Sequence, residues 1–291
     1  MFLLLRWTWV GLAAGCASLG GLTGGEGDAS VDDGHVSYPR DGAPRDATHE
    51  RVFDSATAST DARPRDAAHD GDASPGTPFL KDTFARTVTN GLGTADIGGA
   101  WTLSGLPSDF SVVPGAGRIT MSAAADGPAA ELDATSVASA DVTTTFSLNK
   151  VGNQTGTYIR IIGRRVSATE QYQGLVHVLS TGEVDLSLEK VDGSTTAAVL
   201  EEDLSTGLIY TAGAALNARL QVTGTNPTKL AFRAWAATSP EPTTWAASVS
   251  DASAALQSPG SVGLSAYLGE SSTSAPVVAS FSSLVGVPVA L

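Results

Sequence analysis

Cysteine and basic residues are scarce in this chain of 291 residues, and each scarcity excludes a class of protein. A single cysteine excludes a disulfide framework and a zinc site built from several cysteines, because both need more than one sulfur. Lysine and arginine together number 17 against 30 aspartates and glutamates, so the net charge is −13. Nucleic acids recruit clustered positive charge, and we therefore expect no nucleic-acid partner.

Motifs for common cofactors are also missing. The sequence contains no phosphate-binding loop and no dinucleotide fingerprint. Its C-terminal part holds a single histidine, His177, which leaves no basis for a Ser-His-Asp triad. Asp82, Asp96 and Asp109 lie near predicted loops, but no Asp-x-Asp-x-Asp pattern supports a calcium site, which takes six to eight oxygens. We predict no cofactor and no metal, with calcium as an alternative that has no motif behind it.

The N-terminus reads as an export signal. Residues 1–15 (MFLLLRWTWVGLAAG) form an apolar run that is shorter than the roughly 20 residues needed to span a bilayer and that ends in small residues. The segment Leu12-Ala13-Ala14-Gly15-Cys16 resembles the lipobox of bacterial lipoproteins. The resemblance implies lipidation of Cys16, contact with the membrane through that anchor alone, and, with Ala17 next, an outer-membrane or cell-surface location. The alternative is a cleaved signal peptide with an incidental cysteine.

Residues 16–78 are rich in Asp, Ala, Gly, Ser, Thr and Pro and have few large apolar side chains. Such a composition predicts disorder, because too little apolar surface is available to offset chain entropy. We interpret this segment as an acidic tether between the anchor and a folded domain.

Residues 79–291 alternate apolar and polar side chains with the period of a β-strand. We predict roughly a dozen strands, with one or two helical turns at 251–256 and no long helix. Many short strands separated by turns favour one two-sheet antiparallel sandwich. The clearest strands are 117–122, 141–148, 155–165, 171–179, 182–190, 216–222, 228–237, 261–268 and 277–285.

Short motifs along this domain resemble the concanavalin A-like lectin/glucanase jelly rolls, which include laminin G-like modules. The resemblance implies two antiparallel sheets whose first and last strands are neighbours. Relatives often bind sugars, some with calcium, but the fold also carries enzymes and structural spacers. The motifs are Asp82-x-Phe84-x-Arg86, Gly98–Leu103, Asp109–Val112, Gly117–Ile119, Thr157–Arg160, Gly163–Arg165, Gly260–Tyr267 and the strand around Phe281.

Three acidic residues on one predicted strand are candidate catalytic groups. Glu183, Asp185 and Glu189 share a face, as in the family-16 glycoside hydrolases that this strand resembles. The spacing from Asp185 to Glu189 departs from the family pattern, because Ser187 lies between them on the same face of the strand. The alternative is a strand with its acids facing solvent, and we predict a protein that is not an enzyme.

Outward-facing polar and aromatic residues on three further strands form a candidate ligand site if those strands lie side by side. Flat rings can stack on the C–H faces of sugars while fixed donors bind hydroxyls. Alternatively, the aromatic rings pack under a loop and the arginines pair with surface acids. The candidates are Tyr158, Arg160, Arg219, Gln221, Arg233 and Trp235.

Together these patterns predict a surface-anchored, non-catalytic lipoprotein that binds a carbohydrate or another cell-surface ligand. Two alternatives are open: a glycan-degrading enzyme of the same fold, and a purely structural module of the cell envelope.

Overall fold

A computed structural model of the protein describes residues 76–194, 196–204 and 206–289. The predicted signal peptide, Cys16 and the tether up to residue 75 lie outside the described residues. The described part contains two short 3-10 turns, Pro107–Asp109 and Ala254–Leu256. Its strands are β1 Leu80–Asp82, β2 Val88–Thr89, β3 Thr102–Ser104, β4 Phe110–Val113, β5 Ala116–Met121, β6 Ala129–Val137, β7 Ala140–Leu148, β8 Thr157–Ser167, β9 Glu170–Val178, β10 Val184–Asp192, β11 Ala198–Asp203, β12 Leu216–Thr223, β13 Thr228–Ala236, β14 Ala247–Asp251, β15 Gly260–Leu268 and β16 Val277–Pro288.

The strands form two antiparallel sheets, which confirms the predicted all-β sandwich. The nine-stranded sheet has the order β14-β13-β12-β7-β16-β5-β4-β2, and β1 also pairs with β16. The seven-stranded sheet has the order β11-β10-β9-β8-β15-β6-β3. The first and last strands are neighbours, as expected, with Leu80 opposite Gly286.

Alternation along each strand explains how the sheets pack. In β12, Leu216, Ala218, Leu220 and Val222 are buried, and the residues between them are partly exposed. The buried faces of both sheets meet in one apolar core, as in other two-sheet sandwiches. At Gly174 of β9, a Cβ atom would lie 2.6 Å from ring atoms of Phe232 in the opposite sheet. A glycine there allows a large ring to fill the space between the sheets.

The nine strands predicted most clearly all form, each within three residues of its expected bounds. The predicted helical segment 251–256 is only partly helical, because β14 extends to Asp251 and a 3-10 turn covers Ala254–Leu256. No helix in the described part of the chain is long and apolar enough to cross a bilayer.

The Asp-x-Phe-x-Arg motif is a buried structural cluster at the end of β1. Asp82 is fully buried and forms a two-pronged ion pair with Arg86, both hydrogen bonds measuring 2.7 Å. The same carboxylate accepts hydrogen bonds from the Trp101 indole and the Phe84 backbone amide, each at 2.8 Å. Arg86 in turn donates to the carbonyl of Leu92. The motif therefore connects the end of β1 to the segments that contain Leu92 and Trp101.

Candidate functional site

The structure divides the six predicted ligand-binding residues between two surfaces. Tyr158 and Arg160 lie on β8 of the seven-stranded sheet, whereas Arg219, Gln221, Arg233 and Trp235 lie on β12 and β13 of the nine-stranded sheet. The outer faces of two stacked sheets point in opposite directions, so these side chains cannot line one groove. The condition that the three strands lie side by side is not met, because β8 pairs with β9 and β15 instead.

On the nine-stranded sheet, the polar side chains bind one another around Asp141 of β7. Arg219 donates to both oxygens of Asp141, at 2.8 and 2.6 Å, and Gln221 adds a third hydrogen bond at 2.6 Å. The hydrogen bonds to Asp141 raise the pKa of Arg219, despite its partial burial. Asp141 therefore already uses the donors that were predicted to meet a ligand.

The loop 237–246 contacts both Arg219 and Arg233 on this face. Glu241 binds both Arg219 and Arg233, and the carbonyl of Pro242 also accepts from Arg233. The indole of Trp245 lies over the Arg233 guanidinium, whose central carbon is 4.1 Å from the ring centroid. Trp235, next to this cluster on β13, is only 7% exposed. Arginines paired with acids and a buried ring match the alternative interpretation for these four of the six residues.

The outer face of the seven-stranded sheet carries a row of aromatic residues across three strands. Tyr158 of β8 faces His177 of β9 in register, and their rings stack with centroids 4.0 Å apart at 9°. Tyr267 of β15 meets Tyr158 edge-on at 5.6 Å. The His177 Nε2 lies 2.8 Å from the Thr155 carbonyl oxygen, which only accepts, so this nitrogen carries the hydrogen. These contacts hold the row in a fixed orientation.

A second row on this face is polar. Arg160 donates to Glu189 at 3.0 Å, and Gln173 donates to the same carboxylate oxygen at 2.7 Å. The Arg160 guanidinium also lies 5.7 Å from the centre of the Tyr158 ring, within the range of a cation–π contact. Glu189 thus fixes Arg160 beside the aromatic row.

A depression of about 230 Å³ lies beside these rows, over β9, β10 and β11. Tyr158 and His177 line it together with apolar and acidic side chains of the three strands. It is smaller than the clefts of roughly 300–1,000 Å³ that enclose drug-sized ligands. The other lining residues are Leu175, Asp185, Leu186, Ser187, Glu189, Val199, Glu202 and Leu204.

The three predicted catalytic acids share this outer face but have different surroundings. Glu183 is exposed and accepts from the Thr181 hydroxyl at 2.9 Å, whereas Glu189 is bound by Arg160. Burial raises the pKa of Asp185, and neighbouring acids add to the effect. Asp185 and Glu189 are four residues apart along one strand, which separates their α-carbons by about 13 Å. In retaining glycosidases the two catalytic carboxyl groups themselves lie ~5–5.5 Å apart.

Four further residues belong to this surface although sequence analysis gave them no role. They are Gln173, His177, Ser187 and Glu202. Alternation in the predicted strand 171–179 places Gln173 and His177 on its polar face, which is a signal that the sequence does contain. Their positions beside Tyr158 and Glu189 follow from the register of β8, β9 and β10 and have no local signal.

The aspartates considered for calcium lie apart in the structure. Asp82 is occupied by Arg86 and Trp101, Asp96 binds Thr83, and Asp109 accepts from Ser122. Within residues 76–289, as far as they are described, no group of three or more His, Cys, Asp or Glu side chains is arranged to hold a metal ion.

Comparison with known proteins finds similarity in fold only. No family model and no curated protein matches the chain. Among solved structures, the GH43 BlXynB protein of Bacillus licheniformis is 12% identical with a TM-score of 0.47, over 72% of this chain and 39% of that one. The chain thus spans about two fifths of that protein's length. The alginate lyase Aly36B is 10% identical with a TM-score of 0.47, over 74% of this chain and 98% of that one.

Two binding domains show a comparable likeness. The carbohydrate-binding module CBM66 of Bacillus subtilis is 12% identical with a TM-score of 0.45, over 64% of this chain and 94% of that one. The metal-free Emp46p carbohydrate recognition domain is 10% identical with a TM-score of 0.45, over 66% of this chain and 89% of that one. These likenesses have TM-scores below 0.5 and include both enzymes and binding modules, so they select neither a family nor an activity.

Proposed function

We propose that the folded domain binds glycans without chemical turnover, on the outer face of the seven-stranded sheet. The observation that carries this proposal is the stacked pair of Tyr158 and His177 at the wall of an open depression lined by both polar and apolar side chains. A sugar ring offers C–H faces to aromatic surfaces and hydroxyls to hydrogen-bonding groups, which is the mixture found here. On the opposite face, the corresponding groups already bind one another beneath the loop 237–246.

The test is a glycan array probed with the whole chain, with and without calcium. We expect binding to at least one glycan class, and a loss of about tenfold or more in affinity for His177→Ala, which removes half of the stacked pair. Trp245→Ala is the matched control, since it removes an aromatic ring from the loop 237–246, which lies over Arg233 of the opposite sheet.

Each result of this test separates the candidates. Loss of binding in Trp245→Ala but not in His177→Ala would place the ligand on the nine-stranded sheet and contradict the proposal. A blank array would favour the structural envelope module. Release of new reducing ends from a bound glycan would favour the enzyme alternative and its acids Glu183, Asp185 and Glu189.

We also propose that the chain is exported and held at the membrane by a lipid on Cys16. The support is the apolar run of residues 1–15 and the lipobox-like segment that ends at Cys16. Cys16→Ser should move the protein from the detergent phase to the aqueous phase in a Triton X-114 partition and abolish labelling with radioactive palmitate. An unchanged partition would contradict the anchor.

A further inference from the structure

Two carboxylates in the depression have no partner in the described part of the chain. Neither Asp185 nor Glu202 forms a hydrogen bond or ion pair there, whereas Glu189 is neutralised by Arg160. Apart from the His177 imidazole, the depression therefore presents two uncompensated negative charges. Its electrostatic potential favours a cationic group.

Strand register brings these two carboxylates to one place. Ser187 faces Glu202 across β10 and β11, and Asp185 is two residues before Ser187 on the same face. Asp185 and Glu202 are thus diagonal neighbours, for which α-carbons are about 7–8 Å apart. A small cation between the two side chains could contact both.

Ser187 adds a neutral hydroxyl group to the two carboxylates of the depression. Its side chain lines the depression, the residue is only 7% exposed, and its hydroxyl has no hydrogen-bond partner among the described residues. Because it lines the open depression, this hydroxyl can form a hydrogen bond with a group that enters from outside.

We propose that the depression selects glycans that carry a free, protonated amino group, such as oligosaccharides of glucosamine. This inference rests on the proposed glycan-binding function. An ammonium group has three donors, which match the carboxylates of Asp185 and Glu202 and the hydroxyl of Ser187. Hydrogen bonds between ions are about twice as strong as neutral ones.

Acetylation of the amine removes this match. The acetamide carries no charge, keeps one donor and adds a carbonyl oxygen, which the two carboxylates repel. We therefore expect a glucosamine tetrasaccharide to bind at least about tenfold more tightly than its N-acetylated form, a difference of ~1.4 kcal/mol. The preference should weaken with added salt, because the depression is open to solvent.

The experiment is calorimetric titration of the whole chain with both tetrasaccharides at about pH 6, where the amine is protonated. Asp185→Asn and Glu202→Gln should each remove most of the preference for the amine. Glu201→Gln is the matched control, because it removes one charge from the same strand but does not line the depression. It should keep the preference.

The outcomes are distinct. Equal affinity for the two tetrasaccharides would overturn the amine selectivity and leave glycan binding intact. Failure to bind either one, with an array positive for other glycans, would overturn it as well. A blank array would defeat the proposed function itself. A tetralysine peptide that binds more tightly than the glucosamine tetrasaccharide would identify the occupant as a basic protein segment and overturn the assignment to a glycan.

Discussion

Replacing Asp82 with asparagine tests whether the buried cluster at the end of β1 anchors the domain. The carboxylate accepts four hydrogen bonds of 2.7–2.8 Å, two of them from the Arg86 guanidinium. Asparagine keeps the shape but turns one acceptor oxygen into a donor. Two donors then lose their acceptor, and the guanidinium loses its counter-charge.

The cost follows from this geometry. Removing one partner of a buried ion pair destabilises a protein by about 3–5 kcal/mol. The Asp82 side chain is fully buried but that of Arg86 is 20% exposed, so water can partly solvate the abandoned charge and we expect the lower end, ~3 kcal/mol. For a domain of this size, each kcal/mol lowers the melting temperature by roughly 2–4 °C. Asp82→Asn should therefore melt about 6–12 °C lower.

Thermal unfolding followed by circular dichroism, together with urea titration, measures this loss. Asp96→Asn is the control, since the Asp96 carboxylate accepts its hydrogen bonds from Thr83 at an exposed site and should matter much less. Equal melting temperatures for the two variants would refute the reasoning. Glycan binding at low temperature should be unchanged in both variants, because the cluster lies outside the depression.

Two further predictions concern stability. Burial by itself raises the pKa of Asp251, but hydrogen bonds from Tyr172 and Lys190 lower it to about 2. The ionised carboxylate therefore stabilises the fold above the ordinary aspartate pKa, and this stabilisation is lost as the pH falls towards 2. Asp251→Asn should flatten the unfolding free energy between about pH 4 and pH 2 in an acid titration, and an unchanged slope would contradict the linkage. Gly174→Ala should cost about 1–3 kcal/mol in urea unfolding, because its methyl group would overlap the Phe232 ring, and a neutral result would show that the ring can move aside.

Much of the fold could be predicted because alternation is a local property. The predicted strand 216–222 forms as Leu216–Thr223 with the expected side chains buried. Shorter strands escaped prediction where alternation is weak, as in β11, whose residues are all exposed or partly exposed. The Asp-x-Phe-x-Arg motif located the buried cluster in the sequence. One of the four hydrogen bonds to Asp82, however, comes from Trp101, which lies nineteen residues away.

The candidate site was only half predictable. Sequence analysis found Tyr158 and Arg160 and assigned each of the six residues to a polar face. It could not assign those faces to sheets, since β8 pairs with β15 about a hundred residues further along the chain. Nor could it show that the loop 237–246 covers Arg233, because this depends on the contacts of Trp245 and Glu241.

The alternation of apolar and polar side chains was thus enough to establish the strands, the buried side of each strand and the all-β class. These properties depend on residues that are close in the sequence and on which of them avoid water. The order of the strands, the separation of Tyr158 from Trp235 and the union of Tyr158, His177 and Asp185 at one depression arose from pairing between distant strands. Such pairing is selected by the packing of the whole core, which no local pattern encodes.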